Sequence, residues 1–218
     1  MVPVLEFPDP RQTDEDGLLA LGGDLHPETL LAAYRQGIFP WPHPGLPLAW
    51  FSPPERGIVE LSKVRINKTL EKARRKTRLR FTIDQAFPKV IEACSKVPRP
   101  GQDGTWITRP MLRAYTELHR LGHAHSIEAW NPTGELVGGI YGVDPGGAFA
   151  AESMFYSEPY ASKLALLHLL DHLRARGLEW IDIQVMTPHM EALGAELISR
   201  ERFLDRLAES LSRRLRLF

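Results

Sequence analysis

The sequence lacks the features that mark secreted and membrane proteins. It has a single cysteine, Cys94, so an internal disulfide cannot form and a reducing compartment is favoured. No apolar run approaches the roughly 18 residues that a membrane helix needs, and no basic-then-apolar leader opens the chain. At 218 residues with 43% hydrophobic side chains, the chain is long enough to bury a core. We expect a cytoplasmic protein that does not associate with membranes.

The net charge is zero, but basic residues are concentrated in one segment. Residues 63–80 carry nine Lys or Arg against one acid, Glu71, so this segment has a charge of +8 and the remainder −8. Asn67 suits the N-cap of a helix. The cations that follow it on one helical stripe predict a surface that grips a phosphate backbone; a solvated surface helix is the alternative. They are Lys68, Lys72, Arg75 and Lys76.

Residues 179–185, Glu-Trp-Ile-Asp-Ile-Gln-Val, are predicted to form a buried strand because their apolar side chains are mostly β-branched. Asp182 and Gln184 interrupt this run two residues apart, and on a strand they project from the same face. A carboxylate in such a strand costs several kcal/mol unless something pairs with it. The two polar side chains therefore indicate a site. The alternative is a structural Asp that bonds the backbone of the next turn.

The periodicity predicts a mixed α+β fold in two parts. Residues 1–61 are rich in Pro, Gly and aromatic side chains, contain one helix over residues 27–37, and form a small N-terminal domain. Residues 62–218 form a catalytic domain whose order, β-α-α-β-β-β-α-β-α-β, is that of the N-acetyltransferase (GNAT-like) fold. In that fold two central strands part and hold an acyl donor between them. Here those strands are residues 147–155 and 179–185.

The boundaries of these elements follow Gly, Pro and Asn signals. A Pro/Gly loop is predicted over residues 97–104. The predicted strands are residues 78–83, 123–130, 135–143, 147–155, 179–185 and 196–198. The predicted helices are residues 84–96, 108–121, 159–176 and 188–193, and a final basic helix that runs to Phe218.

The loop in which an acetyltransferase would hold coenzyme A argues against that cofactor. In acetyltransferases, the pyrophosphate of coenzyme A is usually bound by the N–H groups of a Gly-rich loop at a helix N-terminus. Here residues 156–163 contain no glycine, include Pro159, which has no N–H, and place Glu158 where a phosphate would sit. We predict an acyl donor carried on a nucleic acid instead. An acetyl-coenzyme A N-acetyltransferase and a non-catalytic RNA-binding module are the alternatives.

From about Phe7 to Phe203 the chain resembles the leucyl/phenylalanyl-tRNA–protein transferase family, with the family's motifs in the same order. This resemblance implies an aminoacyltransferase that moves Leu, Phe or less often Met from aminoacyl-tRNA to proteins beginning with Arg or Lys, which marks them for degradation by the N-end rule pathway. We expect a monomer that uses neither a metal nor a covalent nucleophile. The motifs are Gly22-Gly-Asp-Leu25, Ala33-Tyr-Arg-Gln-Gly-Ile-Phe-Pro-Trp41, Gly104-Thr-Trp-Ile-Thr108, Leu121-Gly-His-Ala-His-Ser126, Leu136-Val-Gly-Gly-Ile-Tyr-Gly142, Glu152-Ser-Met-Phe155, Ala161-Ser-Lys163 and Ile181-Asp-Ile-Gln184.

The resemblance also implies roles for the polar residues. Gln184 contacts the acceptor α-amine, while Asp182 polarises Gln184 and draws the proton; a water or the ribose 2′-hydroxyl is the alternative carrier. Glu152 receives the basic N-terminal residue through a charge-assisted hydrogen bond. An ion pair between Glu152 and Lys163 is the alternative for that residue.

Two apolar sets follow from the same resemblance, and ordinary core packing is the alternative for both. One set surrounds the 3′-terminal adenosine: Tyr34, Trp41, Trp106 and Tyr115. The other forms the pocket for the donor side chain: Ile140, Phe149, Met154, Leu166, Leu169, Leu173 and Ile181. No metal is predicted, because His123 and His125 share a strand face without an evident third ligand.

Overall fold

The computed structural model describes residues 6–43, 45–97 and 105–218. The predicted loop over residues 97–104 lies outside them from residue 98 onward, as do Gly104 of the quoted motif and the first five residues of the predicted N-terminal domain. Among the described residues, no helix combines the length and the apolar character that crossing a membrane requires.

The described residues form seven α-helices and ten strands, in the order that the periodicity predicted from residue 78 onward. The helices are α1 (Pro27–Arg35), α2 (Lys68–Lys76), α3 (Phe87–Ser95), α4 (Arg109–Arg120), α5 (Ala161–Ala175), α6 (Pro188–Leu193) and α7 (Arg200–Ser212). The strands are β1 (Leu18–Leu21), β2 (Phe39–Pro40), β3 (Ala49–Phe51), β4 (Glu55–Glu60), β5 (Arg80–Ile83), β6 (Ala124–Trp130), β7 (Leu136–Val143), β8 (Ala150–Tyr156), β9 (Trp180–Gln184) and β10 (Glu196–Ser199).

The strands make two sheets. A small sheet has the order β1-β3-β2, and a seven-stranded sheet has the order β10-β4-β9-β8-β7-β6-β5. Every pair in the large sheet is antiparallel except β8 and β9, which run parallel. The fold is therefore a mixed α+β fold with one parallel step inside its main sheet.

Helices cover both faces of the large sheet. A Cβ at Gly138 of β7 would lie 2.6 Å from Ala161 of α5, whereas one at Gly139 would lie 3.1 Å from Val90 of α3. Successive strand residues face opposite sides, so α5 and α3 pack on opposite faces. One apolar cluster lies beneath α5, and a second is shared by α1, α3 and α4. A third, smaller cluster joins α7 to β4 and β9.

Local chemistry explains where several helices begin. The side chain of Asn67 accepts a hydrogen bond from the N–H of Leu70, at 2.8 Å, as its predicted N-cap role requires. Thr108 caps α4 in the same way. Pro27 occupies the first turn of α1, and Gly37, with a φ of 73°, follows its end.

Two predicted helices differ from those observed. The helix predicted from residue 84 begins only at Phe87, because Asp84 has a φ of 60° and its carboxylate accepts the N–H of Ser126 at 2.8 Å. The last helix ends at Ser212 rather than at Phe218, since Arg214 has a φ of 49° and reverses the chain. The Phe218 ring then stacks on His125, with 3.9 Å between ring centroids.

Strand β4 shows how closely the predicted N-terminal domain is joined to the rest. Although it precedes residue 61, it lies in the large sheet, between β9 and β10. Its register pairs Ile58 with Asp182 on one side and with Glu196 on the other. The domain boundary at residue 61 stays a prediction, but this strand belongs structurally to the sheet that carries the candidate site.

Candidate active site where two strands part

A cleft opens where β8 and β9 separate. These parallel strands share a single register pair, Ala150 with Asp182, and diverge beyond it. The cleft has a volume of about 260 Å³ and reaches from the large sheet to the segment around β2. It combines an apolar wall with two convergent polar side chains, which is typical of a binding site. The lining residues are Phe39, Pro40, Trp41, Trp106, Glu152, Ile183, Gln184, Val185 and Thr187.

Glu152 enters this cleft because β8 contains a β-bulge. Tyr141 of β7 pairs with Ser153 and Gly142 pairs with Ala151, which leaves Glu152 as the extra residue. An extra residue changes the face on which a side chain points. Met154, two residues on, packs in the cluster beneath α5. Glu152 instead reaches the side of the sheet that α1 covers, where its carboxylate contacts Tyr34.

Both hydrogen bonds that the Glu152 carboxylate accepts from described residues go to one oxygen, Oε1. The Tyr34 hydroxyl donates to it at 2.8 Å, and Nε2 of Gln184 donates at 3.0 Å. Burial of the carboxylate is the main cause that raises the pKa of Glu152 to about 8, and the hydrogen bond from Tyr34 acts against this shift. The negative charge of Asp182 raises the pKa of Glu152 further, whereas the positive charge of Arg56 lowers it. No ion pair links Glu152 to Lys163 in the described part of the chain, so that alternative is not supported.

Tyr34 and Tyr115 support Glu152 rather than the cleft wall. Their hydroxyls lie 2.6 Å apart, and the Tyr34 hydroxyl donates a hydrogen bond to Glu152. Burial, followed by the charge of Glu152, raises the pKa of both phenols well above the ordinary value, so both stay protonated. Tyr115 is 0% exposed and packs edge-on against Tyr34 and Tyr141. Neither Tyr34 nor Tyr115 lines the cleft, and their place around the 3′-terminal adenosine stays a prediction.

Gln184 ends β9 in a left-handed conformation, with a φ of 55°. Such a backbone costs about 1–3 kcal/mol in a residue other than glycine and often marks a functional position. Its Nε2 donates to Glu152, which directs the amide oxygen away from that carboxylate. The amide oxygen forms no hydrogen bond with any described residue. It is also not one of the fully buried polar atoms that lack a hydrogen-bond partner. Gln184 therefore offers an acceptor to the cleft.

Asp182 lies behind Gln184, not in the cleft. Its carboxylate forms a bidentate ion pair with Arg56, from Nε at 2.9 Å and from Nη2 at 2.7 Å. Its Oδ1 also accepts the backbone N–H of Gln184 at 2.8 Å. Asp182 thus contacts the backbone N–H of Gln184 and not its side-chain amide, and the polarisation of that amide by Asp182 stays a prediction. Both oxygens accept hydrogen bonds within the protein, and Asp182 does not line the cleft.

Trp41 and Trp106 line the cleft, and their contact with an adenosine stays a prediction. Both are half-buried. Trp41 is supported by Phe51 and His43, whose rings lie 5.8 Å and 5.6 Å from it. An aromatic wall held in this way suits stacking on a flat ring.

The seven residues predicted as a donor side-chain pocket are packed into core. All seven contribute to the cluster beneath α5, with Met154 at its margin. Of these, Leu173 and Ile181 are 0% exposed, and the described cleft is lined by none of the seven. Ile183, which the sequence did not single out, is the member of that cluster that reaches the cleft. The core-packing alternative describes this arrangement.

The predicted cationic stripe is exposed on α2, which packs against α5. Of the cations on this helix, Arg74 pairs with Asp171 of α5. The four stripe residues form no ion pair with any residue in the described ranges. Their charges are available to a polyanion. They are Lys68, Lys72, Arg75 and Lys76.

Within the described ranges, no group of three or more His, Cys, Asp or Glu is placed to hold a metal ion. His123 lies before β6, so it does not share a strand face with His125 as predicted, and the Nδ1 of His125 is 2.7 Å from the carboxylate of Asp84. Cys94 is buried.

Arg56 is the main residue that sequence reasoning missed. A lone arginine between Glu55 and the apolar run Gly57-Ile-Val59 was a signal, because a buried guanidinium needs a carboxylate partner. The sequence indicates that a buried Asp182 needs a partner, but it does not indicate that this partner is Arg56. Phe39 and Val185 line the cleft without any sequence signal that separates them from core residues.

Comparison with known proteins gives matches along most of the chain. The family model described as leucyl/phenylalanyl-tRNA protein transferase matches residues 58–208, and the model of that family's N-terminal domain matches residues 23–54. Proteins named leucyl/phenylalanyl-tRNA–protein transferase are 50% identical over 209 residues in Pseudoalteromonas atlantica (95% of this chain, 88% of that protein) and 47% over 205 residues in Maridesulfovibrio salexigens (94% and 85%). A solved structure of L-PGS from Bacillus licheniformis is similar at a TM-score of 0.42 and 16% identity, over 62% of this chain and 46% of that one.

Proposed function

Because the chain belongs to the leucyl/phenylalanyl-tRNA–protein transferase family, we propose that it transfers Leu, Phe and less often Met from aminoacyl-tRNA to proteins beginning with Arg or Lys. The transfer forms a peptide bond at the acceptor α-amino group and tags the protein for N-end rule degradation. The observation that carries this proposal is the Glu152–Gln184 pair, whose side chains are 3.0 Å apart in a cleft with two tryptophans. We further propose that the enzyme acts as a cytoplasmic monomer.

The reaction needs orientation more than activation. An aminoacyl ester is already a reactive donor, and its attack by an amine to give an amide is downhill. We assign the acceptor α-amine to the free amide oxygen of Gln184, because Glu152 occupies the other end of that amide. The basic side chain of the acceptor then approaches Glu152, whose Oε2 has no hydrogen-bond partner among the described residues. A cation there favours the ionised carboxylate.

The proton leaving the attacking amine takes a route that avoids Asp182. An amide is a poor base, and the Asp182 oxygens are held by Arg56 and by a backbone N–H. As the amide forms, the ester bond to the ribose oxygen of the tRNA breaks, and we assign to the ribose 2′-hydroxyl or to a water in the cleft the transfer of the amine proton to that leaving oxygen. Asp182 then keeps Gln184 in place, and the reaction uses no metal and no coenzyme A.

The remaining donor contacts follow the arrangement of the surfaces. Trp41 and Trp106 would stack on the 3′-terminal adenosine, where such stacking is worth about 1–3 kcal/mol per base. The four exposed cations of α2 would contact the phosphates of the acceptor stem. The donor side chain would enter the cluster beneath α5 only if its packed side chains move apart. The single parallel pair between β8 and β9 supports a GNAT-like arrangement for this domain.

A transfer assay with three peptides tests the proposal. Labelled Leu-tRNA is mixed with peptides that begin with Arg, Lys or Ala and are otherwise identical. We expect label on the Arg and Lys peptides and none on the Ala peptide or on an N-acetylated Arg peptide. Label from acetyl-coenzyme A instead would favour the acetyltransferase alternative. Tight tRNA binding without transfer would favour the RNA-binding alternative.

A further inference from the structure

The Arg56 guanidinium is enclosed on every side that the structure describes. Its side chain is 1% exposed, although arginine is among the residues least often buried. Two of its nitrogens hold the Asp182 carboxylate, and Nη1 donates to the carbonyl of Gly37 at 3.1 Å. The rings of Phe39 and Phe203 flank it, with centroids 4.6 Å and 4.4 Å from Cζ.

This enclosure depends on the absence of a side chain at Gly37. A Cβ there would lie 2.7 Å from Leu204 and 2.8 Å from Phe203, and the residue has a φ of 73°. Only glycine accepts both conditions without strain. A buried ion pair gives little net stability compared with an apolar replacement. An arrangement this specific therefore has to be explained by what it orients.

We propose that Arg56 is a positioning residue for the transfer reaction, because it fixes two parts of the cleft lining relative to each other. One wall is Phe39, which lines the cleft and packs on the guanidinium. The other is Gln184, held through Asp182. This inference rests on the proposed function and adds the residue that aligns its parts.

The link from Arg56 to Gln184 passes through one oxygen. Asp182 Oδ1 accepts both the Arg56 Nε–H and the Gln184 backbone N–H. That second hydrogen bond holds the left-handed turn at Gln184, which in turn aims the amide at Glu152. Without the guanidinium fork the carboxylate is free to rotate, and the amide loses its fixed direction.

Arg56 also acts on Glu152 through its charge. The groups that face Glu152 are Tyr34 from α1, Asp182 and Gln184 from β9, and the cation of Arg56 beyond them. Since Asp182 raises and Arg56 lowers the pKa of Glu152, loss of the cation alone raises that pKa further.

Chemical rescue of Arg56→Ala tests the inference. We expect kcat with the Arg peptide to fall about 100-fold, as for a misplacement of about 1 Å, while tRNA affinity changes little. Guanidinium ion, below the concentration that unfolds the variant, should restore about tenfold of the lost turnover by refilling the site. Sodium chloride at equal ionic strength should restore none.

Arg206→Ala is the matched control, because Arg206 pairs with Glu60 at 2.5 Å and lies over Trp180, outside the cleft. It should keep its turnover and show no guanidinium effect. If Arg56→Ala does not fold, Arg56→Lys keeps the charge without the fork and should still lose about tenfold in kcat.

Three outcomes would overturn the inference: turnover of Arg56→Ala within about threefold of the unmodified protein, rescue matched by sodium chloride, or full turnover of Arg56→Lys where the alanine variant does not fold. An unmodified protein that transfers no label would reject the proposed function and this inference together. Full transfer by the unmodified protein beside an active Arg56→Ala rejects the inference alone.

Discussion

Glu128 on β6 and Glu152 on β8 lie on the same large sheet, and their surroundings differ. Glu128 is 0% exposed, and both its oxygens are occupied, by the hydroxyls of Thr82 and Ser126 and by the N–H groups of Gln85 and Ala86. Two of these donors lie at the start of α3, where a carboxylate is stabilised. Among the described residues, Glu152 has hydrogen-bond donors on one of its two oxygens, and it faces a cleft.

The difference separates a structural carboxylate from a functional one. Glu128 has its hydrogen-bonding capacity filled by the fold, so nothing remains for a ligand. Glu152 keeps unfilled hydrogen-bonding capacity in the cleft, and burial raises its pKa to about 8. Asp182 is an intermediate case, since its charge is paired with Arg56 inside the protein.

Of the substitutions that test this difference between the carboxylates, we expect Asp182→Ala to have the largest effect on stability. Asp182→Ala leaves the Arg56 charge buried without a partner, so the free energy of unfolding should fall by about 3–5 kcal/mol. Chemical denaturation measures this. Replacing both residues, in Arg56→Met with Asp182→Leu, should recover much of the loss in stability but none of the turnover. An unchanged midpoint for Asp182→Ala would contradict the pairing described above.

Glu152→Gln keeps the shape of the side chain and removes its charge. We expect kcat/KM for an Arg peptide to fall about 100-fold, because the acceptor cation loses its charged partner in a desolvated site. Stability should not fall, since the variant no longer has a carboxylate to desolvate. Transfer assays and thermal melts on the same preparation measure the two effects. Full activity in this variant would remove Glu152 from acceptor recognition.

Glu128→Gln should show the reverse pattern. Its new amide group would meet N–H and O–H donors, so the free energy of unfolding should fall by about 1–3 kcal/mol. Turnover of the folded protein should stay unchanged, because Glu128 contacts no residue of the cleft. A loss of kcat without a loss of stability in Glu128→Gln would contradict the conclusion that Glu128 is a structural carboxylate.

We expect the smallest of these effects in the pH dependence of the free energy of unfolding. The folded protein holds the pKa of Glu152 at about 8, above the ordinary value of 4.5. The stability tied to the neutral carboxyl is therefore complete below about 4.5 and lost as the pH rises through about 8. Relative to Glu152→Gln, the unmodified protein should lose at most about 1.4 kcal/mol between pH 6 and 7. Parallel denaturation curves for the two would contradict the raised pKa.

Short-range signals in the sequence predicted much of this fold. The Asn67 cap, the first turn at Pro27 and the order of elements from residue 78 onward all follow from neighbours within a turn or a strand. Asp182 and Gln184 were identified because they interrupt an apolar strand. Such signals depend on a few adjacent residues, which is why they survive without knowledge of the tertiary structure.

The features that were missed depend on distant parts of the chain. Arg56 and Asp182 are 126 residues apart in sequence, so no pattern among neighbouring residues predicts that they pair. The bulge that turns Glu152 towards Tyr34 arises from the register between β7 and β8. Periodicity alone places Glu152 on the same face as Met154. The turn at Arg214 is likewise set by packing of the terminal residues.

The position of β4 has a consequence for synthesis on the ribosome. This strand is made early, yet both of its neighbours, β9 and β10, are made near the end. Until those strands emerge, β4 has two unpaired edges and Arg56 has no carboxylate to hold, as expected for a topology with many long-range pairings. An unfinished chain therefore cannot hold a formed cleft, and catalytic competence arrives only when translation is nearly over.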